Sequence, residues 1–437
     1  MFPLFRNYMD TLLRFTVENY RSIADRKTMV FTPTAIKDTP LSNIAMNGNI
    51  PFLRTTAIYG ANSSGKSNFI HGISEMIKII LSSVKMNDKE ELPNDPFVLN
   101  KTNVDKPTLY EAVFVTNEVR YRYGFSNTEK QICDEWLIRI EPSGSESKLF
   151  VRTLDGIGVN ENLFPEGKDL EERTNDNRLF LSLVGQLGGK VSNTIIGFFK
   201  GGINVLSGLN TASYNSFTKY FLNKQLPGCD DMKKFFGRVQ LGFKDVVSMV
   251  REFDINDLPD DLPEEMKKNI IKELSGNKEI KIFSSHGIYD NNGNLIDTKK
   301  FDFDEMESAG TKKLFDIAGP IFNTLNDGKV LVIDELDAKM HPLISQELVS
   351  LFNDPTRNIH GAQLIFTTHD TNLLSSHLLR RDQIWFTEKD SKECTDIYNM
   401  MQIVLPDGTK PRGDGNLERN YIRGRYGAIP YIPPYTE

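Results

Sequence analysis

Residues 60–67 read Gly-Ala-Asn-Ser-Ser-Gly-Lys-Ser, the spacing G-x-x-x-x-G-K-[ST] that wraps a backbone around an anion. Gly60 and Gly65 permit the tight turn, successive N–H groups face inward, and the positive end of a following helix adds its dipole. The chemistry this predicts is retention of a nucleoside triphosphate. Lys66 is placed to reach the β and γ phosphates and Ser67 to ligate Mg2+, while Ala61, Asn62, Ser63, Ser64 and Asn68 complete the phosphate-contacting stretch. The competing reading is a polar glycine loop that merely turns the chain. The setting argues against it, because Thr55–Tyr59 is a short β-prone run and Ile70, Ile73, Ile77, Leu81 and Val84 then recur at helical spacing.

A second chemical group lies far downstream. Lys329-Val330-Leu331-Val332-Ile333-Asp334-Glu335 is an aliphatic run closed by two carboxylates, the pattern of a strand buried on both faces. In a parallel sheet its carboxyl end lies beside the phosphate loop. There Asp334 can hold magnesium, and Glu335 can act as general base on the attacking water. Alone, the run would read as a core strand ending in a polar loop; the glycine loop upstream shifts the balance. Gln363–Thr368 is another apolar strand and ends in His369, which can bond a γ-phosphate, although a lone histidine after a strand is more often structural. Glu307-Ser308-Ala309-Gly310-Thr311 stands before a helix, where serine and small residues form an anion site; by itself it reads equally well as a helix cap.

Positioning these groups requires a strand-rich first part and an alternating last part. Leu13–Val30 patterns as strand, turn and strand, 109–153 holds β-rich runs, 179–274 is mostly helical in period, and helix and strand alternate from Gly310 to Phe386. A hairpin is predicted around Asn291–Asn294, and a helix over Glu264–Leu274 after the proline-broken loop 257–263. The fold class expected is α/β: a P-loop NTPase core with an N-terminal antiparallel β subdomain and an inserted helical lobe. Its expected divisions are 1–178 and 276–400 for the two parts of the head, 179–275 for the lobe and 401–437 for a C-terminal tail.

A chain of 437 residues, 39% hydrophobic and 25% charged, can bury one large core or two modest ones. The net charge of -7 argues against a surface coated in nucleic acid, although a local basic strip could still hold a phosphate backbone. Lys410, Arg412, Arg419, Arg423 and Arg425 among Tyr421, Tyr426, Tyr431 and Tyr435 form such a strip, for which solvated charge on a packed tail is the commoner meaning. Cys133, Cys229 and Cys394 lack paired spacing and indicate neither a disulfide framework nor a zinc site. No uncharged run approaches the ~18 residues of a membrane helix. A cytoplasmic protein without membrane contact is expected.

In this order the motifs resemble the ABC-type ATPase heads of the RecF and SMC group. The resemblance makes Leu336-Asp337-Ala338 a D-loop, His369 the switch histidine beside the catalytic Lys66 and Glu335, and Ser308 to Gly310 the signature motif, with Ala309 departing from its usual second small residue. Phe15–Ser22 resembles the first strands of such heads, which implies that Arg21 approaches the phosphates; Gln186 is the candidate Q-loop glutamine. Two heads closing head-to-tail on two nucleotides are implied, with Ser308 and Gly310 of one chain facing Lys66 of the other, hence a homodimer or higher homo-oligomer. Segments 178–182, 382–389 and 421–430 further resemble bacterial AAA-family ATPases of the abortive-infection, phage-defence kind, as in the ATPase subunits of PARIS-type systems. Such relatives sense infection and control a separate toxic effector, often a nuclease, which implies a phage trigger and an effector protein as partners. Two other readings stay open: a DNA-repair head that binds duplex ends, and a scaffold that binds ATP without useful hydrolysis. The lack of coiled-coil arms and the acidic balance weigh against the first, the Asp334-Glu335 pair against the second; nucleic-acid binding is left open.

Overall fold

The structure is a computed structural model, and it describes residues 9–38, 40–87, 89–252, 278–413 and 415–430. In chain order the first strands are β1 (Thr11–Glu18), β2 (Lys27–Val30), β3 (Ile44–Asn47), β4 (Ile50–Leu53), β5 (Thr55–Gly60), β6 (Thr108–Thr116), β7 (Val119–Asn127), β8 (Ile132–Ile140), β9 (Glu146–Thr153) and β10 (Gly156–Val159). They are followed by β11 (Ile203–Ser207), β12 (Asp245–Glu252), β13 (Lys278–Tyr289), β14 (Leu295–Asp302), β15 (Val330–Asp334), β16 (Gln363–Thr367), β17 (Ile384–Lys389) and β18 (Thr395–Asn399). The described helices are α1 (Lys66–Ser82), α2 (Lys101–Val104), α3 (Phe180–Gln186), α4 (Lys190–Gly197), α5 (Ala212–Asn223), α6 (Cys229–Arg238), α7 (Phe303–Met306), α8 (Ala309–Asp327), α9 (Pro342–Asn353) and α10 (Leu417–Ile422). None is long and apolar enough to cross a membrane. The chain divides into two units, residues 1–209 with 327–437, and residues 210–326.

The larger unit holds two large sheets besides the two-stranded β3-β4 pair. One has seven antiparallel strands in the order β10-β9-β8-β7-β6-β1-β2; the other runs β11-β15-β16-β5-β17-β18. In the second, β11, β15, β16, β5 and β17 are parallel and only β18 reverses. Every residue of β5 and β16 is buried, as are Val330–Ile333 of β15, which explains their unbroken apolar sequences: a parallel strand covered on both faces has no solvent side to alternate toward. Helix α1 contributes Phe69, Ile70, Ile73, Met76, Ile79 and Ile80 to a core shared with Leu12, Phe15 and Val17 of β1, Val330 and Val332 of β15, and the inner face of the seven-stranded sheet. The α/β class with its antiparallel subdomain is therefore observed.

The lobe boundary differs from the expected 179–275. Helices α3 and α4 belong to the larger unit, because Phe180, Leu181, Val184 and Ile195 join its core together with the residues just after α4: Phe198 stacks on Phe114 at 4.3 Å, and Phe199 meets Phe114 edge-on at 5.3 Å. Glu135 of β8 is fully buried and fastens α3 to the sheet, accepting the Phe180 and Leu181 N–H groups at 2.7 and 3.0 Å and the Tyr123 hydroxyl at 3.0 Å. Burial raises its pKa, opposed by Arg152 and by these hydrogen bonds.

The smaller unit is mixed rather than mainly helical. A three-stranded sheet, β12-β13-β14, accompanies α5, α6 and α8. The hairpin predicted at Asn291–Asn294 joins β13 to β14; Asp290 Oδ1 accepts the Asn292 and Asn294 N–H groups and Gly293 takes the left-handed turn position at φ 82°. Close helix packing is set by Gly319, where a Cβ would lie 2.5 Å from Thr218 Oγ1. The helix predicted over Glu264–Leu274 lies outside the described residues.

Candidate nucleotide site

Three parallel strands deliver chemistry to one edge of the six-stranded sheet. Since β16 pairs in parallel with both β15 and β5, their carboxyl ends point the same way, each followed at once by polar residues: Gly60–Gly65, Asp334–Asp337 and Thr367–His369. Gly60 has no room for a side chain, since a Cβ there would stand 2.4 Å from Thr387 Oγ1. Gly65 holds φ at 105°, and its Cβ would meet Thr395 Oγ1 at 2.2 Å. The same threonines brace the loop. Ser64 Oγ and Thr387 Oγ1 lie 2.6 Å apart, and Thr395 Oγ1 donates to Ser64 O at 2.9 Å. Ser22 Oγ is 2.7 Å from Thr395 Oγ1 and accepts from Asn68 Nδ2 at 2.7 Å, so the β1–β2 turn also grips the start of α1.

Lys66 is 5% exposed and donates from Nζ to Gly60 O at 2.9 Å and Ala61 O at 3.0 Å. Burial lowers its pKa to about 8, against the opposing pull of Glu335, Asp334 and Asp337. Asp334 and Glu335 are aligned by one hydroxyl: Thr367 Oγ1 donates to Asp334 Oδ1 at 2.7 Å and accepts the Glu335 N–H at 2.7 Å. Glu335 occupies the left-handed region at φ 57°, a strained position for a residue with a side chain, of the kind that clusters at functional sites. Asp337 receives the His369 N–H at 3.3 and 3.4 Å. Partial burial of the His369 ring and the charge of Lys66 lower its pKa against the three carboxylates, which keeps the imidazole neutral at neutral pH and able to donate from one nitrogen.

These contacts bring Lys66, Asp334, Glu335, Asp337 and His369 into one electrostatic neighbourhood. Ser67 and Asp334 are suited to magnesium, which takes one or two protein oxygens and fills its shell with water and phosphate. Among the described residues no group of three or more His, Cys, Asp or Glu gathers as a metal cage. Arg21 Nε donates to Asp95 Oδ2 at 2.7 Å and its guanidinium lies over Tyr20, while the next residue, Ser22, bonds Asn68 at the start of α1. Gln186 ends α3 and is exposed. Ser308 and Gly310 stand in the smaller unit, where Ser308 caps α8, its Oγ accepting the Thr311 N–H at 3.2 Å and its backbone O the Lys312 N–H at 2.9 Å; the residue is exposed.

Several residues escaped the sequence reading. Thr387, Thr395 and Ser22 are ordinary polar residues in β-rich runs, and only folding brings them to the loop. Thr367 carried a faint signal, the doubled threonine before His369. Gly208 follows β11, donates its N–H to Asp334 O at 2.6 Å, and leaves no space for a Cβ, which would lie 1.9 Å from Glu335 O.

The chain's fold is similar to several solved structures: the SMC head domain from Thermotoga maritima, with 14% identity, a TM-score of 0.39, and 89% of this chain and 98% of that one covered; the recombination mediator protein RecF with ATP, with 12% identity, a TM-score of 0.38, and coverage of 91% and 100%; and an Smc head domain from Pyrococcus furiosus bound to the C-terminal domain of ScpA, with 11% identity, a TM-score of 0.36, and coverage of 89% and 96%. No curated protein matches the sequence. Residues 55–375, which run from β5 past the His369 loop, match one sequence family. That match spans more than half of the chain, and the protein therefore belongs to the family described as "AAA domain, putative AbiEii toxin, Type IV TA system".

Proposed function

We propose that the chain is a Mg2+-dependent ATPase whose nucleotide is held between two copies, and that it works as a switch. The observation that carries this reading is the convergence of Lys66, the Asp334-Glu335 pair, Asp337 and His369 at the carboxyl edge of β5, β15 and β16. Lys66 and the loop amides hold the phosphates; Ser67 and Asp334 hold the ion, which supplies charge neutralisation at the phosphate oxygens. Glu335, aimed by its strained backbone and by Thr367, takes the proton of the attacking water. Neutral His369 donates a hydrogen bond to the γ-phosphate.

In this reading Ser308 and the N-terminal amides of α8 from a second copy complete the site, and the exposure of Ser308 suits that task. ATP then favours the closed pair and hydrolysis reopens it, because only the triphosphate gains from both sides. The family description names a toxin–antitoxin system; in the proposed cellular role the switch acts in abortive infection triggered by phage and controls a separate effector. Glu335→Gln is the direct test. It should lower turnover by about 10²-fold or more while ATP stays bound, and light scattering should show a nucleotide-dependent dimer; a variant that stays monomeric under saturating ATP refutes the sandwich.

A further inference from the structure

His369 stands on a short loop whose first anchor is Asp337. Gln346 Nε2 of α9 donates to Asn372 O at 3.1 Å, and two more contacts of the loop lead to the C-terminal segment. Thr371 Oγ1 donates to Glu418 Oε1 at 2.9 Å, across 47 positions of sequence. Asp370 O accepts the Tyr59 hydroxyl at 3.2 Å, and Tyr59 in turn meets Tyr421 edge-on at 5.7 Å. Glu418 lies in the first turn of α10, and Tyr421 on the same helix is buried and stacked on Phe386 at 5.6 Å. The helix itself is fixed: Tyr421 OH donates to Ala428 O at 3.0 Å, Ala428 N–H donates to Glu388 Oε2 at 3.1 Å, and Tyr398 OH donates to Tyr426 O at 2.9 Å. Gly427, at φ 70°, admits no Cβ, which would stand 2.6 Å from both Glu388 Oε2 and Tyr398 OH.

A solvated tail needs none of these bonds. The basic residues of this segment, Arg419, Arg423 and Arg425, do face solvent, but Glu418 and Tyr421 face the sheet and the His369 loop. Tyr59 is also the residue immediately before Gly60. One short helix thus bears on both the loop that presents the histidine and the strand that opens the phosphate cradle.

We infer that Glu418 is a positioning residue for His369, holding the switch loop through Thr371 while Tyr421 holds it through Tyr59. The inference rests on the reading of His369 as the group that senses the γ-phosphate. Loss of one net hydrogen bond that acts mainly at the transition state predicts that Glu418→Ala and Thr371→Val each lower kcat about five-fold with KM little changed. Glu418→Gln and Thr371→Ser keep the bond and should keep the rate. The double variant Thr371→Val/Glu418→Ala should be no slower than either single one, since both remove the same bond.

Amide hydrogen exchange over residues 368–373 of the full chain supplies a readout independent of turnover: it should quicken in Glu418→Ala and not in Glu418→Gln. Multiplicative losses in the double variant, equal damage from Gln and Ala at position 418, or unchanged exchange overturn the assignment. A wild-type chain with no ATP turnover overturns the ATPase reading instead, and the exchange measurement still decides whether Glu418 holds the loop.

Discussion

Lys66 carries a cost in the empty protein that it recovers on binding. Its ammonium is drawn out of water, bonded only to loop carbonyls, and its pKa falls to about 8 from 10.5. The folded pKa lies below the unfolded one, so between those values the unfolded chain binds more protons and this residue's contribution to stability improves as pH rises. Lys66→Met is therefore expected to melt no lower than the native chain at pH 7, with the difference shrinking as pH rises above 8; a difference that widens with pH contradicts the assignment. A triphosphate reverses the balance by stabilising the charged form. ATP affinity should fall above pH 8, and calorimetry near that pH in buffers of different ionisation enthalpy should show net proton uptake that is absent near pH 6.

Thr367 and Gly208 show what strand ends contribute. Thr367, the last residue of β16, holds both Asp334 and the Glu335 backbone, so Thr367→Val should reduce kcat by about ten-fold, the equivalent of about 1.4 kcal/mol, with ATP affinity nearly unchanged. Gly208, just beyond β11, lies against the Glu335 carbonyl; Gly208→Ala should destabilise the chain by about 1–3 kcal/mol and lower turnover together, read by denaturant melts and a coupled assay. The phosphate loop and acidic strand were legible because each is contiguous in sequence and its chemistry lies in the spacing itself. Ser22, Thr387 and Thr395 were not, since their partners in the loop and at the start of α1 are tens to hundreds of positions away and a hydroxyl in a strand has no pattern. The same limit explains the misplaced lobe boundary: a helical period marks α3 and α4 as amphipathic, but only Phe114, Phe198 and Phe199 in contact reveal which core they complete.

At the scale of the whole molecule, the sequence order of glycine loop, serine-led helix, acidic strand and histidine pointed to a nucleotide head, and the matched family agrees at that level. What the order alone does not contain is the partner. Ser308 stands at an exposed helix start in the smaller unit and Lys66 in the cradle of the larger one, and the proposed closed pair would join Ser308 of one copy to Lys66 of another. Mixing two inactive variants tests their union across copies most directly. In a symmetric pair, Lys66→Ala joined to Ser308→Arg contains one site with Lys66 from the second chain and Ser308 from the first, both native. Each variant alone should lack ATP turnover, and the mixture should recover a substantial part of it; a mixture as inactive as its components, with both chains folded, contradicts the account.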